Sequence, residues 1–437
     1  MADGYFKNKK FIDLHNLDIK FFNLGIFFLA SAPFISCLLL LYPLFKGLFQ
    51  KRKNLLKDGL NQLLMIISLI LITKSITTSL LANTEIPLWD SSLNWAGISN
   101  LIPMFLCYLA FNEYLDEGYK RKKVIKLFVA GTFPVLATCI GQYWFNWYGP
   151  FEIFNGLIKW FQRPLIYTDY AVSGLFNNQN YTAIWLTMMW PLILILLKEK
   201  FHLKEFIKSK ILLFITILNS IFIILTNSRN GLIGLLIPFL FLIGPRFRKY
   251  VFLFTSGFLI LIILLNLSFI SIEIKELSRF LIPGNLENRF NATYIDFFSY
   301  PRIKIWLNAI YLIFEKPLFG WGANSFPYLY ESKTGILNFH SHNLFLELSV
   351  SFGLIVSCLF FLVIIIIFIR SFNAIFNKKK NSFVDKGWWL SGFIFFVSHL
   401  SDVLIFDIRI NLASWIILIG LRNTFRAKDD LISDNLS

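Results

Sequence analysis

Long apolar stretches recur along almost the whole chain, separated by short connections rich in Lys, Arg and Asn. They fall near 22–45, 60–81, 96–112, 124–145, 179–197, 211–226, 230–244, 249–270, 344–369, 387–404 and 409–421. Several reach about 18 residues without a charge, the length a helix needs to cross a bilayer core. Eleven runs counted once would leave the two ends on opposite sides. The first run is interrupted by Ser31-Ala32-Pro33, and proline breaks the helix hydrogen-bond ladder, so 22–45 is expected to be a tight helical hairpin. About twelve transmembrane helices follow, with both ends on the same side. The expected fold is all-α: a polytopic membrane protein forming one integral membrane domain over 1–437.

Composition agrees, with 56% hydrophobic residues, 18% aromatic and 16% charged. The net charge of +16 raises the question of nucleic acid, but its placement answers it. Segments 46–57, 114–126, 198–210 and 370–386 each carry five Lys or Arg, whereas 83–95 carries none and 146–177 only Lys159 and Arg163. Basic residues concentrated in alternate connections are the positive-inside pattern, so the excess reports topology, and nucleic acid is not an expected partner. Lys7, Lys9, Lys10 and Lys20 at one end, with Arg422, Arg426 and Lys428 at the other, place both termini in the cytoplasm. Segments 146–177 and 271–343 then face outward. Cys37, Cys107, Cys139 and Cys358 sit in apolar runs without CxxC spacing and read as buried small hydrophobes. No cleavable signal peptide is evident, since the first apolar run is too long and lacks a small-residue cleavage site.

The loop 271–343 is the largest outward segment and is expected to carry part of a site. Within it, 303–314 is apolar enough to lie along the membrane surface as an interfacial helix. Glu315-Lys316-Pro317 ends that helix, and Gly320, Gly322 and Asn324 supply a turn. His340-Ser341-His342-Asn343 then precedes the helix starting near Leu344. The positive end of that helix favours uncharged imidazoles and attracts anions, and an uncharged imidazole can take a proton from a hydroxyl. The same pair would equally serve as interfacial caps. His-x-His lacks an adjacent Cys or Asp as third ligand, although Glu331 and Glu347 are in range by sequence, so no metal is expected.

Arg229, in the short turn Thr226–Gly231, lies at membrane depth on the side where arginine is sparse. It suits a clamp for phosphate or carboxylate or ordinary snorkelling to headgroups. Arg302, Arg279 and Arg289 belong to the same outer face, and together the four arginines would make a cationic basin for a diphosphate. Asn177-Asn178-Gln179-Asn180 opens the next helix, with amides for sugar hydroxyls or simply an N-cap. Asp402 and Asp407, near Arg409, would pair with the basin or with each other. Lys74 is nearly the whole supply of charge midway along a helix, which leaves little for the alternative class, a transporter of a small solute or ion.

Four of these blocks, in order, resemble the O-antigen ligase and O-antigen polymerase superfamily. Asn227-Ser228-Arg229-Asn230-Gly231 is similar to its Ser-Arg-Gly-like turn. Gly320-Trp321-Gly322-Ala323-Asn324-Ser325-Phe326, then His340-Ser341-His342-Asn343 and Gly353, is similar to its Gly-x-Gly, His-x-His-Asn and Gly signature. Gly174–Asn180 matches a third block, and Arg302 falls where the family has a loop arginine. After the histidines the chain departs from the pattern: Glu347 and Ser351 stand where the family often has Gln and an acidic residue. The resemblance implies a GT-C-like architecture and an inverting, metal-independent glycosyltransferase without a cofactor. Glycan would pass from a polyprenyl-diphosphate-linked donor to an acceptor glycan or glycolipid at the periplasmic face of the inner membrane. It makes His342 the general base, Arg229 and Arg302 the holders of the diphosphate, and His340 and Asn343 supports.

Overall fold

The computed structural model describes residues 17–51, 57–80, 86, 89–168, 170–242, 301–376 and 382–433. The apolar run at 249–270, Arg279 and Arg289 lie outside them. The chain enters through α1 (Leu17–Phe28) and α2 (Pro33–Lys51), separated by a turn at 29–31. Pro33 opens α2 as the first residue, where its missing N–H costs nothing. The two helices pack against each other, tied by Ser36 Oγ donating to Gly25 O at 2.7 Å. The expected hairpin is what forms.

There follow α3 (Gly59–Leu80), α4 (Leu93–Ile98), α5 (Ile102–Ala110), α6 (Gly118–Gly131) and α7 (Phe133–Phe145). Two of the expected single runs are therefore broken helices, at Ser99–Leu101 and at Thr132. After α7 the all-α expectation misses a small feature. Strands β1 (Phe151–Ile153) and β2 (Ile158–Trp160) pair antiparallel, Glu152 opposite Lys159, around a turn with positive φ at Phe154, Asn155 and Gly156. Next come α8 (Gln179–His202), α9 (Phe206–Leu225) and α10 (Arg229–Leu242), then α11 (Pro301–Glu315), α12 (Phe326–Thr334), α13 (Leu344–Phe376), α14 (Phe383–Ser398) and α15 (Ile408–Ser433).

Among the described residues seven spans are long and apolar enough to cross a membrane, which makes this a multi-pass membrane protein. The span of α8 is 78% buried, against 28% for α3 and for α9. So α8 is the central post, packed by α6, α9, α10 and α14, while α3 and α9 turn most of their surface to the surroundings.

The basic connections gather at one end. Arg121 Nε donates to Asp385 at 2.7 Å, Lys122 Nζ to Glu199 at 2.7 Å, and the Lys198 ammonium lies 3.8 Å from the Phe383 ring centre. Contacts linking three of the Lys/Arg-rich segments to one another give the alternating charge pattern a three-dimensional counterpart.

The longest helix, α13, is broken at Gly353, whose φ of 86° and ψ of 169° end the helical path. A broken helix strands its backbone groups, and at membrane depth these need partners from the protein. The glycine turn supplies them. Trp321 N donates to Val350 O at 2.8 Å, Gly322 N to Ser351 O at 2.9 Å, and Leu354 N to Pro317 O at 2.8 Å. Gly320 and Gly322 have φ of +63° and +127°, and a Cβ on Gly320 would lie 2.6 Å from Val350 O. Only glycine fits this approach. The Gly-Trp-Gly block thus works as a splice on α13, held from below by Lys74 Nζ donating to Gly320 O at 3.2 Å.

Helix α11 buries Ile305, Ala309, Leu312 and Ile313, one stripe at helical spacing, and leaves Leu307, Ile310, Tyr311 and Phe314 exposed. That apolar face, exposed among the described residues, is of the kind a helix at a membrane surface presents.

Candidate active site

The histidine loop meets the loop between α14 and α15. Leu344 N, the first of α13, donates to His399 O at 3.0 Å, and Asn343 Nδ2 donates to Leu400 O at 3.0 Å. Asn343 Oδ1 in turn accepts from Leu346 N at 3.1 Å, an N-cap in the usual sense. Glu347 reaches back from the first turn of α13, and its Oε2 accepts from Ser341 N at 2.7 Å. These bonds hold the loop tightly enough to keep His342 at a φ of 53°, a conformation that non-glycine residues adopt only when the surroundings impose it.

Two imidazoles therefore converge on one carboxylate. His342 Nδ1 lies 3.4 Å and His340 Nε2 3.8 Å from Asp402 Oδ1, with the two rings edge-to-face at 4.3 Å. Asp402 is buried, its side chain 5% exposed, while the imidazoles sit above it at 24% and 19%. Its oxygens are further fixed by Val403 N at 2.9 Å and by Asn180 Nδ2 at 3.1 Å. Burial alone would raise the Asp402 pKa; the hydrogen bond from His342 and the charge of His340 overcome it and hold the carboxyl below its ordinary range. Burial also pushes the His340 pKa down to about 4, opposed by Asp402 and reinforced by His342 and by Arg302.

An ionised carboxylate only accepts, so the His342 nitrogen facing it carries the hydrogen, and in the neutral ring Nε2 is the one with the lone pair. His342 N also donates to His340 Nδ1 at 3.3 Å, which leaves the His340 hydrogen on Nε2, toward Asp402. The ligating atoms of His340, His342 and Asp402 all lie within 4.8 Å of one another, so these three could hold a metal by distance. A metal on His340 Nε2, however, would need the ring hydrogen moved to Nδ1, breaking the bond from His342 N. Metal-bound histidine normally donates from its other nitrogen. A proton and a metal would thus compete for His340 Nε2.

The arginines are placed less evenly. Arg302, half-buried at the start of α11, is near enough to His340 to depress its pKa. Arg229 is the first residue of α10, and its neighbour Asn230 is bonded to the loop that carries Asp402: Ser401 Oγ donates to Asn230 Oδ1 at 2.6 Å, and Asn230 Nδ2 to Ser398 O at 3.4 Å. Asn343 serves as cap and strut, and Asn180 holds Asp402. Asp402, expected to pair with the arginine basin or with Asp407, faces the two histidines instead. Its near neighbour Asp407 has the other fate, paired in a buried bidentate contact with Arg409, whose guanidinium also covers the Phe176 ring at 3.9 Å.

No curated protein matches the chain. Residues 213–361 match the family model described as O-antigen ligase. That stretch holds Arg229, Arg302, the glycine turn and both histidines, and it ends before Asp402. Over residues 213–361 the chain is similar to the O-antigen ligase family.

Proposed function

We propose that the protein transfers a glycan from a polyprenyl-diphosphate carrier to an acceptor hydroxyl at the periplasmic face of the bacterial inner membrane. The fold in this reading has about twelve crossings, GT-C-like, with both termini cytoplasmic and 271–343 as the periplasmic loop. The observation that carries it is the contact of Asp402 with His342, the histidine lying in the family-matched stretch. Asp402 fixes the ring so that Nε2 faces out as the base, the same division of labour as in an Asp-His pair that activates a hydroxyl. His342 Nε2 takes the acceptor proton as the acceptor oxygen attacks the anomeric carbon. The bond from that carbon to the diphosphate oxygen breaks with inversion, and the electron pair leaves with the diphosphate.

Arg302 and Arg229 are the donors assigned to that leaving group, with Arg279 and Arg289 as further members of the basin. Fixed guanidinium groups aimed at charge developing on the diphosphate stabilise the transition state without a metal. The acceptor is a glycan or glycolipid, and ligation and polymerisation share this chemistry. The transporter alternative loses its main candidate, since Lys74 holds the glycine turn through Gly320 O.

The test is transfer by purified protein given lipid-diphosphate-linked glycan and candidate acceptors one at a time. Product that appears with wild type and is lost in a folded His342→Ala variant supports the reading. Product formation unaffected by that substitution overturns it.

A further inference from the structure

The cluster that orients His342 is also a set of metal ligands drawn from two loops. His342 Nδ1 lies 3.4 Å and His340 Nε2 3.8 Å from Asp402 Oδ1, and the three ligand atoms all lie within 4.8 Å of one another. Tetrahedral bonds of roughly 2.0–2.1 Å from imidazole nitrogen and carboxylate oxygen set ligand atoms about 3.3 Å apart. Two of the three edges are thus close to their final length. The histidine–histidine edge has at most about 1.5 Å to close, a distance that turning two partly exposed rings covers.

The surroundings suit an ion as well as the spacing does. Asp402 is held as metal-binding carboxylates are, by Asn180 Nδ2 on Oδ2 at 3.1 Å and by Val403 N on Oδ1 at 2.9 Å. It lies beneath rings that are 24% and 19% exposed, so an ion would arrive past the imidazoles and keep a fourth position for water. Arg302 opposes a cation here, since its charge reaches His340, but it removes no ligand. Two imidazoles with one carboxylate favour zinc, cobalt, nickel or copper over magnesium and calcium, which take oxygen ligands.

We propose that His340, His342 and Asp402 bind a zinc-like divalent ion, and that the bound ion switches the base off. Coordination at His342 Nδ1 moves the ring hydrogen to Nε2, so the nitrogen that would take the acceptor proton becomes a donor. His340 moves its hydrogen from Nε2 to Nδ1 in the same way and gives up the 3.3 Å bond from His342 N. No proton leaves the protein in either shift. The ion site stands on these three residues alone, and its effect on transfer rests on the function proposed above.

The experiment is titration of the purified, tag-free full chain, treated with a chelator and dialysed, with Co²⁺. Cobalt stands in for zinc and absorbs visible light strongly in a tetrahedral site, and added Zn²⁺ then displaces it and removes the colour. Wild type should give that spectrum. His340→Gln should raise the half-saturating Co²⁺ concentration by more than about 10-fold, and Asn180→Ala, which keeps all three ligands and loosens Asp402, by about 10-fold. His202→Gln, an exposed histidine at the end of α8, should titrate as wild type does. If His340→Gln does not fold, Asn180→Ala carries the test. The same protein is assayed for transfer from a lipid-diphosphate-linked glycan, and turnover should fall in step with Zn²⁺ occupancy. Equal cobalt titrations for wild type, His340→Gln and Asn180→Ala overturn the site. Full turnover by zinc-saturated protein overturns the switch. A cobalt site lost in these variants, in a protein that transfers no glycan even without metal, overturns the transfer reading and leaves the ion site standing.

Discussion

The two ends of α13 spend their charges in opposite ways. At its start, Asp402 faces two imidazoles, groups that can gain and lose a proton, and its hydrogen bond orients His342. At its far end, Asp58 is locked to Arg422, a partner that keeps its charge at any working pH. The contrast is repeated within a single loop, where Asp407 pairs with Arg409 only five positions from Asp402. A carboxylate against arginine makes a strut. A carboxylate against histidine makes a device for moving a proton. The partner, more than the acid, decides which end does chemistry.

Substitutions that swap these partners break the comparison, and the largest effect is expected at His342. His342→Ala should lower transfer by about 10³-fold, the middle of the range for losing a positioned general base. Arg370→Gln, at the other end, should leave the transfer rate within about twofold, since charges that far apart are screened. Next is Arg302→Ala. Losing one fixed donor to a developing negative charge costs about 10²-fold in kcat, and Arg302→Lys should recover only part of it, because a point charge does not reproduce the planar fork. Both are read as turnover of the lipid-linked donor.

A smaller effect, on stability alone, is expected at the splice that sets the start of α13. Gly353→Ala puts a Cβ against Leu318 O at a positive φ and should cost about 1–3 kcal/mol, seen as a lower midpoint in thermal unfolding. A pH effect on stability also separates the two ends. In the folded protein His340 titrates at about 4 against an ordinary 6.5. Between those values the unfolded chain holds more protons than the folded one, so stability rises with pH through that window and is complete above about 6.5. Wild type should lose stability as pH falls from about 6.5 to 4, and His340→Gln should flatten the unfolding midpoint over that range.

Much of the frame was legible in the residues. Pro33 marked the hairpin because its effect on a helix is local, and the basic connections marked one end because insertion reads charge in sequence. The His340–Asn343 loop was legible for the same reason: its chemistry is packed into four neighbouring residues. The pairing of Asp402 with the histidines was not, because it stands 60 residues from His342 and an aspartate before a helix looks the same whether its partner is histidine or arginine. The glycine turn was legible as a turn but not as a splice. Its partners Val350 and Ser351 become available only because the helix breaks at Gly353, and a lone glycine in an apolar run does not announce a break. Arg279 and Arg289 keep the standing they had in the sequence.

The most direct measurement is a double-mutant cycle on transfer, with His342→Ala, Asp402→Asn and the two combined, each checked for folding. If Asp402 acts by orienting His342, its substitution alone should slow transfer by about 10²-fold or more, and the combined variant should be no slower than His342→Ala, since residues that act as a unit are not additive. Effects that multiply in the combined variant, or an Asp402→Asn rate equal to wild type, would contradict the pairing.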